Sequence, residues 1–166
     1  MNESTQLVLA NIGAFSAMVI SALGSVYGCG VAAASAIGGW KKCYVQGRPA
    51  PFQLSILTGA PMTQTIYGLI LMLLISGNIR EATAGYWPIF LAIGLVGGFA
   101  IALSAVYQGR AAAGACDALS ETGQGFVNYL IALGIIETIA IFIMVFSIML
   151  LGAVIPAEAA AAAAAL

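Results

Sequence analysis

The sequence contains no histidine, and charged residues account for only 7% of its 166 positions. Its three cysteines, Cys29, Cys43 and Cys116, lack the CxxC spacing of metal and redox sites, so we expect them to be packing residues and expect no zinc or haem site. The chain also lacks paired acids and a nucleophile–base arrangement, which argues against an enzyme. A net charge of −1 gives no indication of nucleic-acid binding.

Long hydrophobic runs take the place of these groups, because 62% of the residues are hydrophobic. The runs cover roughly residues 7 to 37, 52 to 76, 86 to 116 and 126 to 155, and each is long enough for a spanning helix of about 20 residues. The sequence therefore predicts an all-α membrane protein with four transmembrane helices, here α1 to α4. An even number of spans puts both termini on the same side.

The basic residues predict the orientation of these helices. Lys41, Lys42 and Arg48 lie between α1 and α2, Arg110 is assigned towards the matching end of α3, and Arg80 lies on the opposite side. The positive-inside rule then puts the α1–α2 and α3–α4 connections in the cytoplasm and both termini outside. The N-terminus has no basic region before α1, so we expect a retained anchor, in the cell membrane if the source is prokaryotic.

An internal repeat relates the two halves of the chain. A shift of 80 residues aligns Val26-Tyr27-Gly28 with Val106-Tyr107-Gln108, and a shift of 73 aligns Gln64-Thr65-Ile66 with Glu137-Thr138-Ile139. The predicted units are two tandem helical hairpins in a parallel repeat, residues 1–82 and 83–155, followed by an Ala-rich tail, 156–166, with no assigned function. A parallel repeat argues against the inverted halves of many alternating-access transporters.

The most informative single residue is Glu137, which lies inside the apolar run of α4. The nearest other acids in the sequence, Glu121 and Glu158, are far enough away to lie near or beyond a membrane surface. An isolated carboxylate at mid-membrane costs at least ~2.5 kcal/mol, so an acid in this position indicates a functional site.

Few other strongly polar side chains lie deep in the apolar runs. Thr63, Gln64 and Tyr67 share one face of α2 just after Pro61, which is expected to bend that helix. Gln108 on α3 reaches the same depth only if α3 continues to about Glu121. Thr65 and Thr138 are left out of the predicted site because a threonine hydroxyl can bond back to its own helix.

The polar set has two interpretations. A carboxyl group alone in an apolar pocket suits a proton, whereas carboxylate, amide and hydroxyl oxygens together suit a hard cation. The amides and hydroxyls are also side chains that join helices by hydrogen bonds in many membrane bundles. The glycine pairs Gly24-xxx-Gly28 and Gly94-xxx-Gly98 predict that α1 and α3 pack closely against other helices at these positions.

These features resemble those of a known family, the proteolipid (c/K) rotor-ring subunits of vacuolar/archaeal-type rotary ATPases. The resemblance covers nearly the whole chain and depends on three motifs in combination: Pro61-Met-Thr-Gln-Thr-Ile-Tyr67, Tyr107-Gln-Gly-Arg-Ala-Ala-Ala-Gly114 and Ile136-Glu-Thr-Ile-Ala140. It implies a homo-oligomeric ring embedded in lipid, with α1 and α3 on the inside. It also implies a stator subunit that carries an arginine, and central-stalk subunits on the cytoplasmic side.

The resemblance further implies an ion site and its residues. In sodium-transporting members the ligands correspond here to Glu137, Gln64, Thr63, Gln108 and the backbone carbonyl of Ala60. The residue that corresponds to the tyrosine bonded to the carboxylate is Tyr67. Proton-transporting members generally lack the full oxygen set, so Na⁺ is favoured over H⁺ as the transported ion.

One acid for four helices implies one ion per subunit, which favours ATP-driven pumping over synthesis. The alternatives are a proton-translocating ring of the same kind, a small self-contained proton-coupled transporter, and a structural pore ring. A transporter would need a second charge or a substrate cavity, and neither is evident. A pore ring would leave Glu137 unexplained.

Overall fold

The computed structural model describes residues 1–155, and the predicted Ala-rich tail lies outside this range. Four long helices account for nearly all of it: α1 is Glu3–Val45, α2 is Gln53–Asn78, α3 is Glu81–Thr122 and α4 is Phe126–Val154. Each is long and apolar enough to cross a membrane. The predicted all-α architecture with four spans is confirmed, whereas the division into two hairpin units stays a prediction.

Helix α2 is irregular where the sequence predicts a bend. Its α-helical parts, Gln53–Gly59 and Thr63–Asn78, are joined by the 3-10 turn Ala60–Met62. The cause is Pro61, which has no backbone N–H to donate to the preceding turn and whose ring crowds that turn. This level of α2 therefore has backbone carbonyls that are not fully used within the helix.

Helix α1 packs mainly against α3, and small residues bring the two backbones together. A Cβ atom on Gly24 would lie 2.5 Å from the Cα of Ala102, and one on Gly28 would meet the backbone carbonyl of Ala105. Gly94 contacts the backbone of Gly13 just as closely. The predicted close-packing glycines are therefore confirmed, and real side chains at these positions would force the helices apart.

Helix α3 has three kinds of helical turn. It begins with the 3-10 segment Glu81–Tyr86 and the α-helical turn Trp87–Ala92, passes through the π-helical segment Ile93–Gly97, and continues as α-helix over Gly98–Thr122. The extension beyond Ala113 that the sequence requires for Gln108 is therefore present. It puts Gln108 well inside the bundle.

Arg110 lies towards the C-terminal end of α3, as the sequence-based assignment expects, but well before that end. Arg110 precedes the last residue of α3 by 12 positions, or about 18 Å of helix. Its guanidinium lies 5.8 Å from the ring centre of Tyr27 and 5.5 Å from that of Tyr107. It is therefore two residues beyond Gln108 and not a residue of the helix end.

The connection between α1 and α2 is tied to the C-terminal end of α3. Lys42 forms an ion pair with Glu121, and the guanidinium of Arg48 donates to the carbonyl of Ser120 over 3.1 Å. Positive charge is favourable here because the C-terminal end of a helix carries partial negative charge. Nearby, Cys43 and Cys116 are buried and free, consistent with packing residues.

Helix α4 is the most exposed of the four. Only 11% of its most apolar 18-residue window is buried, against 50% for α3. Its exposed side chains are nevertheless large and apolar, among them Ile131, Ile135, Phe142 and Phe146. An exposed apolar surface of this kind is suited to lipid or to another apolar protein surface.

Candidate functional site

The carboxylate of Glu137 lies where α4 meets the bent level of α2. The phenol of Tyr67 donates a hydrogen bond of 2.7 Å to Glu137 Oε1. Both side chains are partly buried. A carboxylate that accepts a short bond from a fixed phenol is held in one orientation, so Tyr67 occupies the supporting place that the sequence resemblance implies.

Gln108 approaches the same carboxylate from α3. Its amide nitrogen donates to the backbone carbonyl of Leu133 over 3.0 Å and lies 3.4 Å from Glu137 Oε2. Because its NH₂ group is directed at α4, its oxygen is directed towards α2. Gln108 is completely buried, so both ends of its amide need partners within the protein.

Gln64 continues this line of amides. Its nitrogen donates 2.7 Å to Gln108 Oε1, and its oxygen accepts a bond of 3.2 Å from the hydroxyl of Thr63. The choice between oxygen and nitrogen in each amide follows from these partners. The two glutamines therefore point the same way, from the carbonyls of α4 towards Thr63.

Three oxygen atoms collect on α2 at the bend. Thr63 Oγ1 lies 3.1 Å from the carbonyl oxygen of Ala60 and 3.2 Å from Gln64 Oε1. The turn of 3-10 helix at Ala60–Met62 brings the Ala60 carbonyl within reach of a side chain three residues later. The structure thus brings all six predicted residues into one connected group, in which the two glutamines link Thr63 and Ala60 to Glu137.

The sequence-based prediction did not include Ser104. Its hydroxyl donates to the backbone carbonyl of Ile136 over 3.0 Å and lies 3.4 Å from the amide nitrogen of Gln64. Ser104 is one turn before Gln108, and a polar side chain four residues from a buried amide is the signal that could have found it.

The two threonines left out of the prediction lie apart from this group. Thr138 is exposed, and its hydroxyl bonds back to the carbonyl of Ile135 over 2.7 Å. This is the local bond expected for a threonine within a helix. Thr65 takes part in none of the hydrogen bonds that link Glu137, the two glutamines and Thr63.

The chemistry available here is that of one carboxylate surrounded by neutral oxygens. Among residues 1–155 there is no group of three His, Cys, Asp or Glu side chains close enough to bind a metal ion. The hydrogen-bond partners of Glu137 are Tyr67 and Gln108, and both are uncharged at neutral pH. The arrangement can therefore neutralise one positive charge reversibly, but it supplies no nucleophile and no base partner for covalent catalysis.

Comparisons with known proteins identify the family of this chain. The model of the ATP synthase C-subunit family matches residues 91–150, the part of the chain that contains Gln108 and Glu137. The chain is also similar to the A-type ATP synthase K subunit of Methanocaldococcus jannaschii. The two are 35% identical over 156 residues, which is 93% of this chain and 67% of the relative. The chain therefore belongs to the c/K family of rotor proteolipids, the non-catalytic membrane subunits of ATP synthases.

Proposed function

We propose that this chain is a rotor-ring subunit that binds one Na⁺ ion and carries it across the membrane, coupled to ATP hydrolysis. The proposed ligands are Glu137, Gln64, Thr63, Gln108 and the backbone carbonyl of Ala60, and Tyr67 supports the carboxylate. Copies of the chain form the ring. A stator subunit with an arginine, central-stalk subunits on the cytoplasmic side and the surrounding lipid complete its partners.

The observation that carries this proposal is the group of oxygens at the bend of α2. Thr63 Oγ1 lies 3.1 Å from the Ala60 carbonyl oxygen and 3.2 Å from Gln64 Oε1. The amide nitrogen of Gln64 points away from this group, towards Gln108. Neutral oxygens of these types are the ligands that hard cations prefer. A Na⁺ ion would replace the hydrogen bonds that these oxygens now share.

The same oxygens favour Na⁺ over H⁺. A protonated carboxyl needs one acceptor for its hydrogen, and the remaining oxygens would add little to proton binding. A bound cation uses several oxygens at once, and in a buried site each one replaces a water molecule lost from the ion. The completely buried Gln64 and Gln108 are suited to this second role, because their amides cannot be solvated by water.

The proposed cycle follows from neutralisation of Glu137. Entry of Na⁺ at the stator neutralises the carboxylate, and the 2.7 Å bond from Tyr67 holds it in a closed position while the subunit turns through lipid. An arginine of the stator would compete with Na⁺ for the carboxylate and release the ion to the other side. Since the aligned position in the first repeat is Gln64, one ion moves per four helices, which favours pumping against a steep gradient.

The orientation and domain division belong to the same proposal. The α1–α2 and α3–α4 connections face the cytoplasm, and both termini lie outside. Lys42 and Arg48 are then at the cytoplasmic end of the ring, where the central stalk attaches. The units are residues 1–82, with Gln64 in place of the acid, and residues 83–155, with Glu137.

Labelling of purified rings with a carboxyl-reactive carbodiimide tests the proposal. At fixed pH, Na⁺ is expected to slow modification of Glu137, whereas K⁺ at the same ionic strength is not. Modification that slows with rising pH, as the carboxyl loses its proton, but is indifferent to Na⁺ would contradict the Na⁺ assignment and support a proton-translocating ring. Rings that carry Glu137→Gln control for labelling of the other carboxylates.

A further inference from the structure

We propose that Ser104 is a positioning residue of the ion site, which fixes the amide of Gln64 so that its oxygen faces Thr63. This inference rests on the proposed function. Ser104 lies on α3 one turn from Gln108, is only 6% exposed, and contacts both α2 and α4 through its hydroxyl. Its side chain bears no charge and is not one of the proposed Na⁺ ligands.

The orientation of the two amides, those of Gln108 and Gln64, is set by the groups on α4. The carbonyls of Leu133 and Ile136 can only accept hydrogen bonds, so the groups that reach them must be donors. The Gln108 amide nitrogen donates to Leu133, and the Ser104 hydroxyl donates to Ile136. Both α3 side chains are therefore left with oxygen acceptors on the side that faces α2.

Gln64 must respond to both of these acceptors. Its NH₂ group has two hydrogens, and the acceptors within reach are Gln108 Oε1 at 2.7 Å and Ser104 Oγ at 3.4 Å. Rotation of the amide by half a turn would place its oxygen against Gln108 Oε1, with no hydrogen between them. Ser104 could then turn its hydroxyl towards Gln64 only by giving up the bond to Ile136.

The consequence for the site is the placement of one oxygen atom. With its nitrogen held on the α3 side, Gln64 directs Oε1 towards the Thr63 hydroxyl and the oxygens at the bend of α2. Gln64 is completely buried, so an amide hydrogen without a partner costs free energy and makes this orientation less stable. Removal of the Ser104 hydroxyl leaves one N–H of Gln64 unbonded, so that Gln108 Oε1 alone holds the amide and the preference for this orientation is weaker.

Ser104 also ties α3 to the peptide that precedes Glu137. The accepting carbonyl belongs to Ile136, the residue directly before the acid. A single hydroxyl thus fixes two features of the site, the face that Gln64 presents and the distance of α4 from α3 at Glu137. The corresponding position in the first repeat, at the shift of 80 residues, is Gly24, which has no hydroxyl.

The test compares Ser104→Ala with Ser21→Ala and Ser104→Thr in purified rings. Ser21 is a buried serine whose hydroxyl bonds to the carbonyl of Ala17 in its own helix over 2.7 Å, outside the amide line. The readout is the Na⁺ concentration that halves carbodiimide labelling of Glu137 at fixed pH, together with the ratio of Na⁺ to Li⁺ concentrations that do so.

We expect Ser104→Ala to raise the half-protecting Na⁺ concentration by about threefold to tenfold and to change the Na⁺/Li⁺ ratio. The labelling rate without Na⁺ and the amount of assembled ring should match those of Ser21→Ala. Ser104→Thr, which keeps the hydroxyl, should restore both values to within about twofold of the unaltered ring.

The outcomes separate this inference from the proposed function. If Na⁺ protects the unaltered ring and protects Ser104→Ala at the same concentration and the same Na⁺/Li⁺ ratio, Ser104 has no positioning role and the proposed function stands. If Na⁺ fails to protect the unaltered ring, both are overturned. If Ser104→Ala lowers only the thermal stability of the ring, the hydroxyl is structural and the inference is wrong.

Discussion

The two sequence repeats have different kinds of residue at the aligned positions of their first helices, α1 and α3. In the first repeat, α1 presents Gly24 and Gly28 to α3, and its backbone lies directly on the backbone of α3. At the corresponding positions of the second repeat, α3 presents Ser104 and Gln108, whose side chains reach α2 and α4. Helix α1 therefore supplies close contact, and α3 supplies polar groups.

This difference explains why the two repeats make one site and not two. A side chain at Gly28 that matched Gln108 would need the space taken by Pro61 and by the carbonyl of Ala105. The close approach of α1 to α3 brings α2, α3 and α4 together, so Tyr67 can turn to Glu137. The first repeat has no acid at the position that aligns with Glu137 and instead contributes the neutral groups around the acid of the second.

Helices α2 and α4 differ in the same sense. The shift of 73 residues aligns Tyr67 with Ala140 and Thr63 with Ile136. Helix α2 thus has the supporting side chains and lacks the acid, whereas α4 has the acid and contributes only the carbonyls of Leu133 and Ile136 to its surroundings. The site depends on both repeats, although the charge belongs to one.

The largest effect is expected from Glu137→Gln, which gives the second repeat the same residue that the first repeat has at the aligned position, Gln64. ATP-driven Na⁺ uptake by the reconstituted complex should fall to background, because no charge remains to hold the ion. Glu81→Gln, at an exposed acid outside the site, is the matched control and should leave uptake unchanged.

The double substitution Gln64→Glu with Glu137→Gln moves the acid into the first repeat. It should not restore uptake, since Gln64 is fully buried and the position that aligns with Tyr67 in the second repeat is Ala140. Recovery of uptake by this double variant would contradict the claim that the two repeats have different roles.

The next largest effect is expected from the glycine packing of α1. Gly28→Ala should destabilise the ring by about 1–3 kcal/mol or more, because the new methyl group meets the Ala105 backbone, which cannot move away as a flexible side chain can. Gly30→Ala is the control, since nothing lies within 4 Å of its Cβ position, and it should be neutral or stabilising by up to about 1 kcal/mol. Thermal dissociation of the ring measures both, and equal stabilities would show that the contact between α1 and α3 is looser than described.

How much of this could be predicted from the sequence depends on the kind of feature. The four spans, the bend at Pro61 and the glycine contacts follow from hydrophobicity and local residue chemistry. The proposed site residues come from combining Glu137 with the family resemblance. Ser104 was missed because a lone serine in an apolar helix usually bonds to its own backbone, and only the packing of three helices gives it two other partners.

Arg110 shows a different limit of the sequence. Counting charges assigned it towards the C-terminal end of α3, but the local pattern does not show how far before that end it lies. Its two tyrosine contacts, with Tyr27 on α1 and Tyr107 on α3, depend on how the helices are packed. The π-helical segment Ile93–Gly97 was likewise not expected, because close contact of Gly94 with the backbone of α1 is a tertiary feature.

A smaller effect is expected from Tyr67→Phe, which removes the hydroxyl that α2 contributes to the acid of α4. Loss of its 2.7 Å bond to Glu137 should raise the half-protecting Na⁺ concentration in carbodiimide labelling by about tenfold. Tyr44→Phe, at an exposed tyrosine on α1, should cause no change. An unchanged Na⁺ dependence in Tyr67→Phe would mean that the phenol does not hold the carboxylate.

The smallest effect should come from the ion pair that joins the two repeats at their shared end. Lys42 and Glu121 have side chains that are 40% and 51% exposed, so Lys42→Ala should cost less than about 1 kcal/mol. Thermal stability of the ring measured at low and high salt should differ from that of the unaltered ring only at low salt. A large loss of thermal stability at both salt concentrations would show that this ion pair contributes far more to the packing of the two repeats than the exposure of its side chains suggests.

The central claim is that two unlike repeats build one cation site. Equilibrium binding of radioactive Na⁺ to purified rings of known copy number tests it most directly. We predict one ion per chain in the unaltered ring and none in Glu137→Gln, with Gln64→Ala weakening the binding without changing the number of sites. Two ions per chain, or binding that persists without Glu137, would contradict this account.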